Sequence, residues 1–135
     1  MTVLELYLAL VAELETVLGC AIGKGFPAWE RSRITVADLP VGAIQMARPG
    51  LVMPSRIGAG PSRESVAWSV WVFAQDEVQL ADLTGKVLDW LKQTPMVGVN
   101  SVRVSLALES ADRYDSQFDV QQEDHGIALT LITQW

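Results

Sequence analysis

The stretch ESVAWSVWVFAQ, Glu64–Gln75, alternates in the way that a β-strand alternates. Successive side chains of a strand point to opposite faces of its sheet. On the second face, Trp71 and Phe73 make the later half of the stretch apolar as well. A half-buried strand needs only one apolar face, so the second face must also be covered, either by another polypeptide or by the Gly- and Pro-rich segment Ala47–Arg63. The first face is apolar throughout: Val66, Trp68, Val70 and Val72.

The composition predicts one soluble domain. The chain has 135 residues, of which 50% are hydrophobic and 19% are charged, and this length and apolar content suit a single domain with a substantial core. Uncharged apolar runs are too short for a membrane span, and the N-terminus lacks the basic start of a secretory signal. The single Cys20 has no internal disulfide partner, which favours a reducing compartment and a buried structural thiol.

Two segments carry the apolar periodicity of helices. The first is Val3–Leu18, with Thr2 and Glu5 placed as a capping box and Gly19 placed to end it. The second is Asp76–Gln93, with acidic residues in its first turn. The expected apolar positions are Leu4, Leu8, Val11 and Leu18 beside Leu6, Leu10, Leu14 and Val17 in the first helix, and Val78, Leu80, Leu83, Val87, Leu88, Trp90 and Leu91 in the second.

The remaining periodic segments predict strands. Besides Glu64–Gln75, they are Val41–Ala47, the alternating run Val102–Leu108, a stretch near Gln117–Gln121, and the closing run Gly126–Trp135. Strands that are grouped with only two long helices indicate an α+β domain. We therefore expect a mostly antiparallel sheet of about four strands, with the two helices packed on one face.

Between the predicted strands Val41–Ala47 and Glu64–Gln75 lies a segment that fits neither the helical period nor the strand period. Residues Ala47–Arg63, here called the arm, contain three prolines and three glycines. Long irregular segments inside a compact domain are commonly functional. The arm also contains apolar residues that a solvated linker would not favour, and we expect it to pack on something, with a neighbouring copy as one candidate. These residues are Leu51, Val52, Met53 and Ile57.

The net charge of −6 is unevenly distributed. Between Lys24 and Arg63 there are six basic residues and two acidic ones, whereas between Glu109 and Asp124 there are six acidic residues and one basic residue. The acidic balance argues against tight binding of nucleic acid, which needs a cationic surface. Patches of opposite sign on one chain can instead meet across copies of that chain.

The residues that carry chemistry form no convincing catalytic set. The run GCAIGKG, Gly19–Gly25, lacks the spacing and the preceding strand of a phosphate-binding loop. His125 is expected to be an exposed turn histidine, and the acidic segment has no glycine at the position where a Ca²⁺ loop turns. We expect no enzyme activity, no cofactor and no metal.

Two of the five tryptophans are candidates for an interface. Trp68, Trp90 and Trp135 stand at core-facing positions, which leaves Trp29 and Trp71. Tryptophan is enriched at protein interfaces, and the same two rings would suit a stacking pocket for a small ligand. A structural role and a ligand-binding module therefore both remain open at this point.

The arrangement as a whole resembles the tail terminator, or tail completion, proteins of long-tailed bacteriophages. The resemblance spans nearly the whole chain and has no catalytic signature. It is carried by VLELYLALVAELETVLG, ADLPVGAIQMA, the arm, ESVAWSVWVFAQDE running into VQLADLTGKVLDWLKQ, and the final IALTLITQW.

This resemblance implies a structural virion protein. Such proteins form a hexameric ring on the head-proximal end of the tail tube, stop tube growth and present a surface to the neck or head-completion protein, while DNA only passes through the lumen. The expected location is the virion tail, after assembly in the host cytoplasm. Another neck or head-completion protein is the nearest alternative.

A ring needs two different patches that meet between neighbouring copies. We expect one patch to consist of Arg48, Leu51, Val52, Met53, Arg56, Arg63, Trp71 and Phe73. The acidic residues Asp112, Asp115, Asp119, Glu123 and Asp124 are expected either to meet the arginines of that patch or to line the lumen. Exposed ion pairs contribute only about 0–1 kcal/mol each, so the apolar residues would have to supply most of the binding energy.

Overall fold

The structure is a computed structural model that describes residues 1–25, 39–52, 63–114 and 125–135. Two helices and six strands form an α+β domain, as the sequence predicts. The elements in chain order are α1 (Val3–Leu18), β1 (Ile22–Lys24), β2 (Val41–Val52), β3 (Arg63–Ala74), α2 (Glu77–Gln93), β4 (Met96–Val99), β5 (Val102–Arg113) and β6 (His125–Gln134).

The strands form one curled, mixed sheet in the order β1-β2-β3-β6-β5-β4. All neighbouring pairs are antiparallel except β1 and β2, which are parallel. The prediction of about four strands is therefore too low, and the sheet is mixed. The sequence missed β1 and β4 because three or four residues are too few to show a period of two. The predicted strand near Gln117–Gln121 lies outside the described residues.

Helix α1 has the predicted bounds and the predicted caps. The Glu5 N–H donates to the Thr2 hydroxyl, and the Thr2 N–H donates to the Glu5 carboxylate. Gly19 ends the helix in the left-handed conformation, at φ 65°, which costs glycine little. The predicted apolar stripe is partly wrong, because Leu4 and Leu8 are exposed. The buried face takes residues from both predicted sets: Leu6, Leu10, Val11, Leu14 and Leu18.

Helix α2 begins one residue later than predicted, because Asp76 is its N-cap and accepts from the Gln79 N–H. Its core face contains Leu80, Leu83, Val87 and Trp90. Val78 is 80% exposed, so its predicted place in the core is wrong.

The core lies between both helices and the face of β3 that carries Trp68. The Trp68 indole is fully buried, stacks on Tyr7 with 5.3 Å between ring centroids, and donates from Nε1 to the Thr133 hydroxyl. Thr133 in turn donates to the Val66 carbonyl. Because Tyr7 also donates to the Ile44 carbonyl, these contacts join α1, β2, β3 and β6.

The first six residues of the predicted arm belong to a strand. Residues Ala47–Val52 continue β2, and β2 pairs with β3 from Val41 opposite Phe73 to Val52 opposite Arg63. The register shifts between Met46 and Arg48, which leaves Ala47 as an extra residue in a β-bulge. This bulge breaks the period of two, which explains why the sequence pattern failed here. Residues 53–62 of the arm lie outside the described residues.

The second face of β3 is covered by the chain itself. Trp71 and Phe73 are 8% and 6% exposed, and they form a small cluster with Ala43. Phe73 also meets the Tyr114 ring edge-on, with 5.6 Å between centroids. Partly buried hydrophobic residues around this cluster are Leu39, Val41, Tyr114 and Ala128.

Candidate subunit-contact surface

The hairpin of β2 and β3 contains a long run of exposed residues that remain paired in the sheet. Residues 45–50 of β2 are all exposed although they remain paired with β3. Strand β1 covers the outer edge of β2 only at Gly42–Ile44. Among the described residues, β2 is therefore the edge strand beyond Ile44, and Pro49 is tolerated there because an edge does not need its missing N–H.

Arg48 projects from this hairpin and binds Glu109 of β5 within the same chain. One guanidinium nitrogen lies 2.8 and 2.9 Å from the two carboxylate oxygens. Strands β3 and β6 lie between β2 and β5, so the pair reaches across the helix-free face of the sheet. Both side chains are substantially exposed, at 60% and 39%, and such a pair contributes little to stability.

The ion pair between Arg48 and Glu109 occupies a side chain that was predicted to contact a neighbouring copy. A contact with acidic residues of a neighbouring copy stays a prediction, and it would require Arg48 to exchange or share its Glu109 partner. Of the acidic residues predicted to be partners, Asp112 is described and is exposed on β5. Asp115, Asp119, Glu123 and Asp124 lie outside the described residues.

The remaining predicted contact residues divide into two groups. Trp71 and Phe73 are buried in their own chain, so they present little surface to a neighbour, and their role at a subunit contact stays a prediction. Met53 and Arg56 lie outside the described residues, and the side chains of Leu51, Val52 and Arg63 lie outside the described part of their strands.

A cluster that the sequence analysis missed joins α2 to β5 and β6. The Arg113 guanidinium donates twice to the Glu77 carboxylate, at 2.8 Å each, and His125 Nδ1 lies 3.1 Å from Glu77 Oε2. His125 begins β6 and its side chain is 17% exposed, so the prediction of an exposed turn histidine is wrong. In the sequence, only the position of Glu77 in the first turn of α2 pointed to this cluster, because Arg113 and His125 are distant from it along the chain.

The cluster makes stability depend on pH in the acidic range. Hydrogen bonds from Arg113 and then from His125 lower the pKa of Glu77 to about 2 from its usual 4.5. Because the folded chain holds this carboxylate ionised, the stabilisation is present above pH 4.5 and is lost as the pH falls towards 2. We expect Glu77→Gln to be less stable than the wild type at pH 6, and the difference to shrink between pH 4.5 and 2.

Urea denaturation at pH 6, 4 and 2.5 measures this difference, with Asp82→Asn as the control. Asp82 is an exposed acid of the same helix that pairs with Lys86, four residues on. A Glu77→Gln variant whose deficit is the same at all three pH values would show that the carboxylate charge is not what the cluster uses.

Two open cavities lie at opposite ends of β3. The first, of about 460 Å³, is lined by Val3, Val66 and Trp135 together with residues of the hairpin. The second, of about 370 Å³, lies beside α2 and is lined by Leu80, Leu88 and Ile127 with Glu77 and Arg113 at its edge. Trp71 lines neither cavity. Trp29, the second ring of the predicted stacking pocket, lies outside the described residues, so the ligand-binding module stays a prediction.

Four of the seven exposed large hydrophobic side chains in the described ranges lie on the helices, and the other three are Met46, Met96 and Leu108 on the strands. On α1, Leu4 is 63% exposed and Leu8 is 44% exposed, and at the start of α2 Val78 is 80% exposed. Single exposed hydrophobic residues are ordinary, but Val3, Leu4 and Leu8 follow one another along the same helix. Of these three residues, Val3 also lines the first cavity.

The described ranges contain no group of three or more His, Cys, Asp or Glu side chains able to hold a metal ion. Burial raises the pKa of the half-buried Cys20 thiol, with the Glu15 carboxylate adding to the effect, which disfavours a reactive thiolate.

Among the described helices, none combines the length and the apolar character needed to cross a membrane.

Known proteins add no assignment to this geometry. Comparison of the chain with protein-family models and with curated proteins finds no match.

Proposed function

We propose that this chain is a structural subunit of a bacteriophage tail, of the tail terminator kind. Copies of the chain form a ring, with six as the expected number, on the head-proximal end of the tail tube. The ring ends tube polymerisation and offers a surface to a neck or head-completion protein. DNA passes through the lumen without specific binding.

One observation carries this proposal more than any other: the hairpin of β2 and β3 places paired but uncovered backbone at the edge of the sheet. Residues 45–50 do not alternate between exposed and buried positions, so both faces of this stretch are exposed. A monomeric domain has little use for such a long open edge, which invites pairing with other chains. A subunit that joins identical neighbours uses this kind of surface.

The distribution of exposed residues also suits a ring. A ring requires heterologous contacts, in which one patch meets a different patch of the next copy. Arg48 at the β2 edge and Asp112 at the β5 edge carry opposite charges, and Arg48 is paired with Glu109 within the chain. Leu4, Leu8 and Val78 provide exposed apolar surface, which is the part that contributes most to association.

Electron microscopy of tube assembly tests the proposed function. The tail-tube protein of the same phage is polymerised with and without this chain, and tube lengths and tube ends are measured. We expect shorter tubes that carry a ring of density at one end only. Tubes of unchanged length with bare ends, at a molar excess of this chain, would contradict the proposal.

A further inference from the structure

The sheet has two open edges on opposite sides. Strand β1 covers β2 only up to Ile44, and strand β4 covers β5 only from Val102 to Ser105, with one further bond from the Leu106 N–H to the Pro95 carbonyl. Within the described residues, no strand pairs with the outer edge of Gln45–Val52 of β2 or of Ala107–Arg113 of β5, and these are called the open stretches below. Residues 45–50 and 107–113 are all exposed.

These two edges are compatible in direction. Each neighbouring pair from β2 through β3 and β6 to β5 is antiparallel, so β2 and β5 run in opposite directions. Two copies can lie side by side in the same orientation, with the helices of both on the same side of the combined sheet. The β5 edge of the first copy then meets the β2 edge of the second as an antiparallel pair. An antiparallel ladder can then continue across the boundary.

The edges are also compatible in length and position. The open stretches are seven residues long on β5 and eight residues long on β2. Through the sheet register, the β5 stretch lies at the same height along the strands as Ala67–Val72 of β3, and the β2 stretch lies at the height of Arg63–Ser69. The two stretches therefore overlap in height only in part. Full pairing shifts each copy along the strands by about three residues, or roughly 10 Å. A constant stagger of this kind, with tilted strands, is what closes a sheet into a barrel.

We propose that the β5 edge Ala107–Arg113 of one copy pairs with the β2 edge Gln45–Val52 of the next copy, so that one continuous sheet runs around the assembly. This inference rests on the proposed ring and names its contact. With the two open stretches aligned end to end, β1 and β4 lie beyond the paired residues and do not obstruct them.

The charges of the two edges fit this pairing. In the aligned register Arg48 lies opposite Ser110, and both residues belong to the helix-free face because they pair with Ala67 and Thr130 of the same face. Asp112 is then the diagonal neighbour of Arg48, and diagonal pairs are within reach of long side chains. The β5 edge carries Glu109 and Asp112, which complement Arg48, so a second copy of this chain suits this edge.

Both edges also carry devices that limit pairing to one register. A β-bulge interrupts β2 at Ala47, and a second register shift interrupts β5 between Leu108 and Ser110. Pro49 removes one donor from the β2 edge. Bulges and edge prolines discourage pairing with arbitrary strands, so a matched edge of the same protein is favoured over an unrelated peptide.

Ala111 is the position at which the β5 edge can be blocked without harm to the single chain. The Tyr114 N–H donates to Gly126 of β6, and backbone groups alternate along a strand, so the Ala111 N–H points away from β6. Proline at this position removes only that outward donor. Serine at the same position keeps the donor and adds a small polar group, which makes Ala111→Ser the matched control.

Sedimentation velocity of the purified full chain measures the effect. We expect the wild type and Ala111→Ser to form the same oligomer, and Ala111→Pro to weaken association by about tenfold or more, with circular dichroism showing that all three are equally folded. If the wild type stays monomeric at every concentration, or if Ala111→Pro assembles as the wild type does, the edge pairing is wrong.

Cysteine cross-linking tests the register and does not depend on the proline variant. In a Cys20→Ala background, Arg48→Cys with Ser110→Cys is expected to give a ladder of covalent multimers under mild oxidation, because a non-hydrogen-bonded antiparallel pair has the Cα spacing of a disulfide. Each single-cysteine variant is expected to give no covalent multimers. Dimers from Ser110→Cys alone would indicate that β5 pairs with itself and would overturn the proposal.

Failure of this contact and failure of the proposed function give different results. Rings that form normally and still cap tubes with Ala111→Pro would remove the edge pairing and leave the ring in place. Loss of capping by a variant that still gives the covalent ladder would remove the tube-end function and leave the contact between copies.

Discussion

Trp68→Ala is expected to lower the free energy of unfolding by about 3–5 kcal/mol, the usual cost of truncating a fully buried large aromatic side chain. The Trp68 ring is 0% exposed, stacks on Tyr7 and donates to Thr133. Its removal opens a cavity between α1 and the sheet and leaves the Thr133 hydroxyl without this donor. Urea denaturation followed by circular dichroism measures the loss.

The conservative variant Trp68→Phe serves as the control for this prediction. It keeps an aromatic ring against Tyr7 and loses only the N–H donor and part of the volume, so we expect a smaller loss than with alanine. A Trp68→Ala chain as stable as the wild type would mean that this ring does not organise the core.

Trp71→Ala is expected to cause a loss of similar size, about 3 kcal/mol, on the opposite face of the sheet. The Trp71 ring is covered within its own chain and belongs to the cluster with Ala43 and Phe73. Its removal should therefore destabilise the single chain in urea before any effect on assembly is considered. The same measurement at low protein concentration, where copies are dissociated, isolates this effect.

The control is Leu4→Ala on α1, at a side chain that is 63% exposed. We expect this substitution to change the stability of the single chain by less than about 0.5 kcal/mol. A Trp71→Ala variant that melts like the wild type but no longer self-associates would assign Trp71 to a contact between subunits.

Much of the fold follows from local sequence signals. The capping box of Thr2 and Glu5, the stop at Gly19 and the N-terminal Asp76 fix both helices to within one residue of their predicted ends. The alternation of Val66, Trp68, Val70 and Val72 identifies the central strand and the face that the helices cover. These signals are strong because each depends on neighbours in sequence and on no distant contact.

The errors arise where distant contacts decide. A β-bulge at Ala47 shifts the alternation of β2, so half of this strand looked irregular and was assigned to the arm. Leu4, Leu8 and Val78 have the spacing of core residues, but the sheet reaches only part of each helix, and they remain exposed. Periodicity gives an apolar face, whereas the shape of the partner decides how much of it is covered.

For the candidate subunit-contact surface, the sequence predicts which charges are present but not which residues pair with one another. Opposite charges in the segments that contain Arg48 and Asp112 are visible in the sequence. Two long-range features are visible only in the folded chain: Arg48 meets Glu109 across two intervening strands, and the open edges of β2 and β5 arise because β1 and β4 are short.

Native mass spectrometry of the purified chain is the most direct test of the claim that identical copies close into a ring. Ring closure predicts one dominant species of fixed subunit number, with six expected, whose population grows with concentration at the expense of the monomer. A chain that remains monomeric across the accessible concentrations, or an open series of masses that rises one subunit at a time without a preferred size, would contradict the claim.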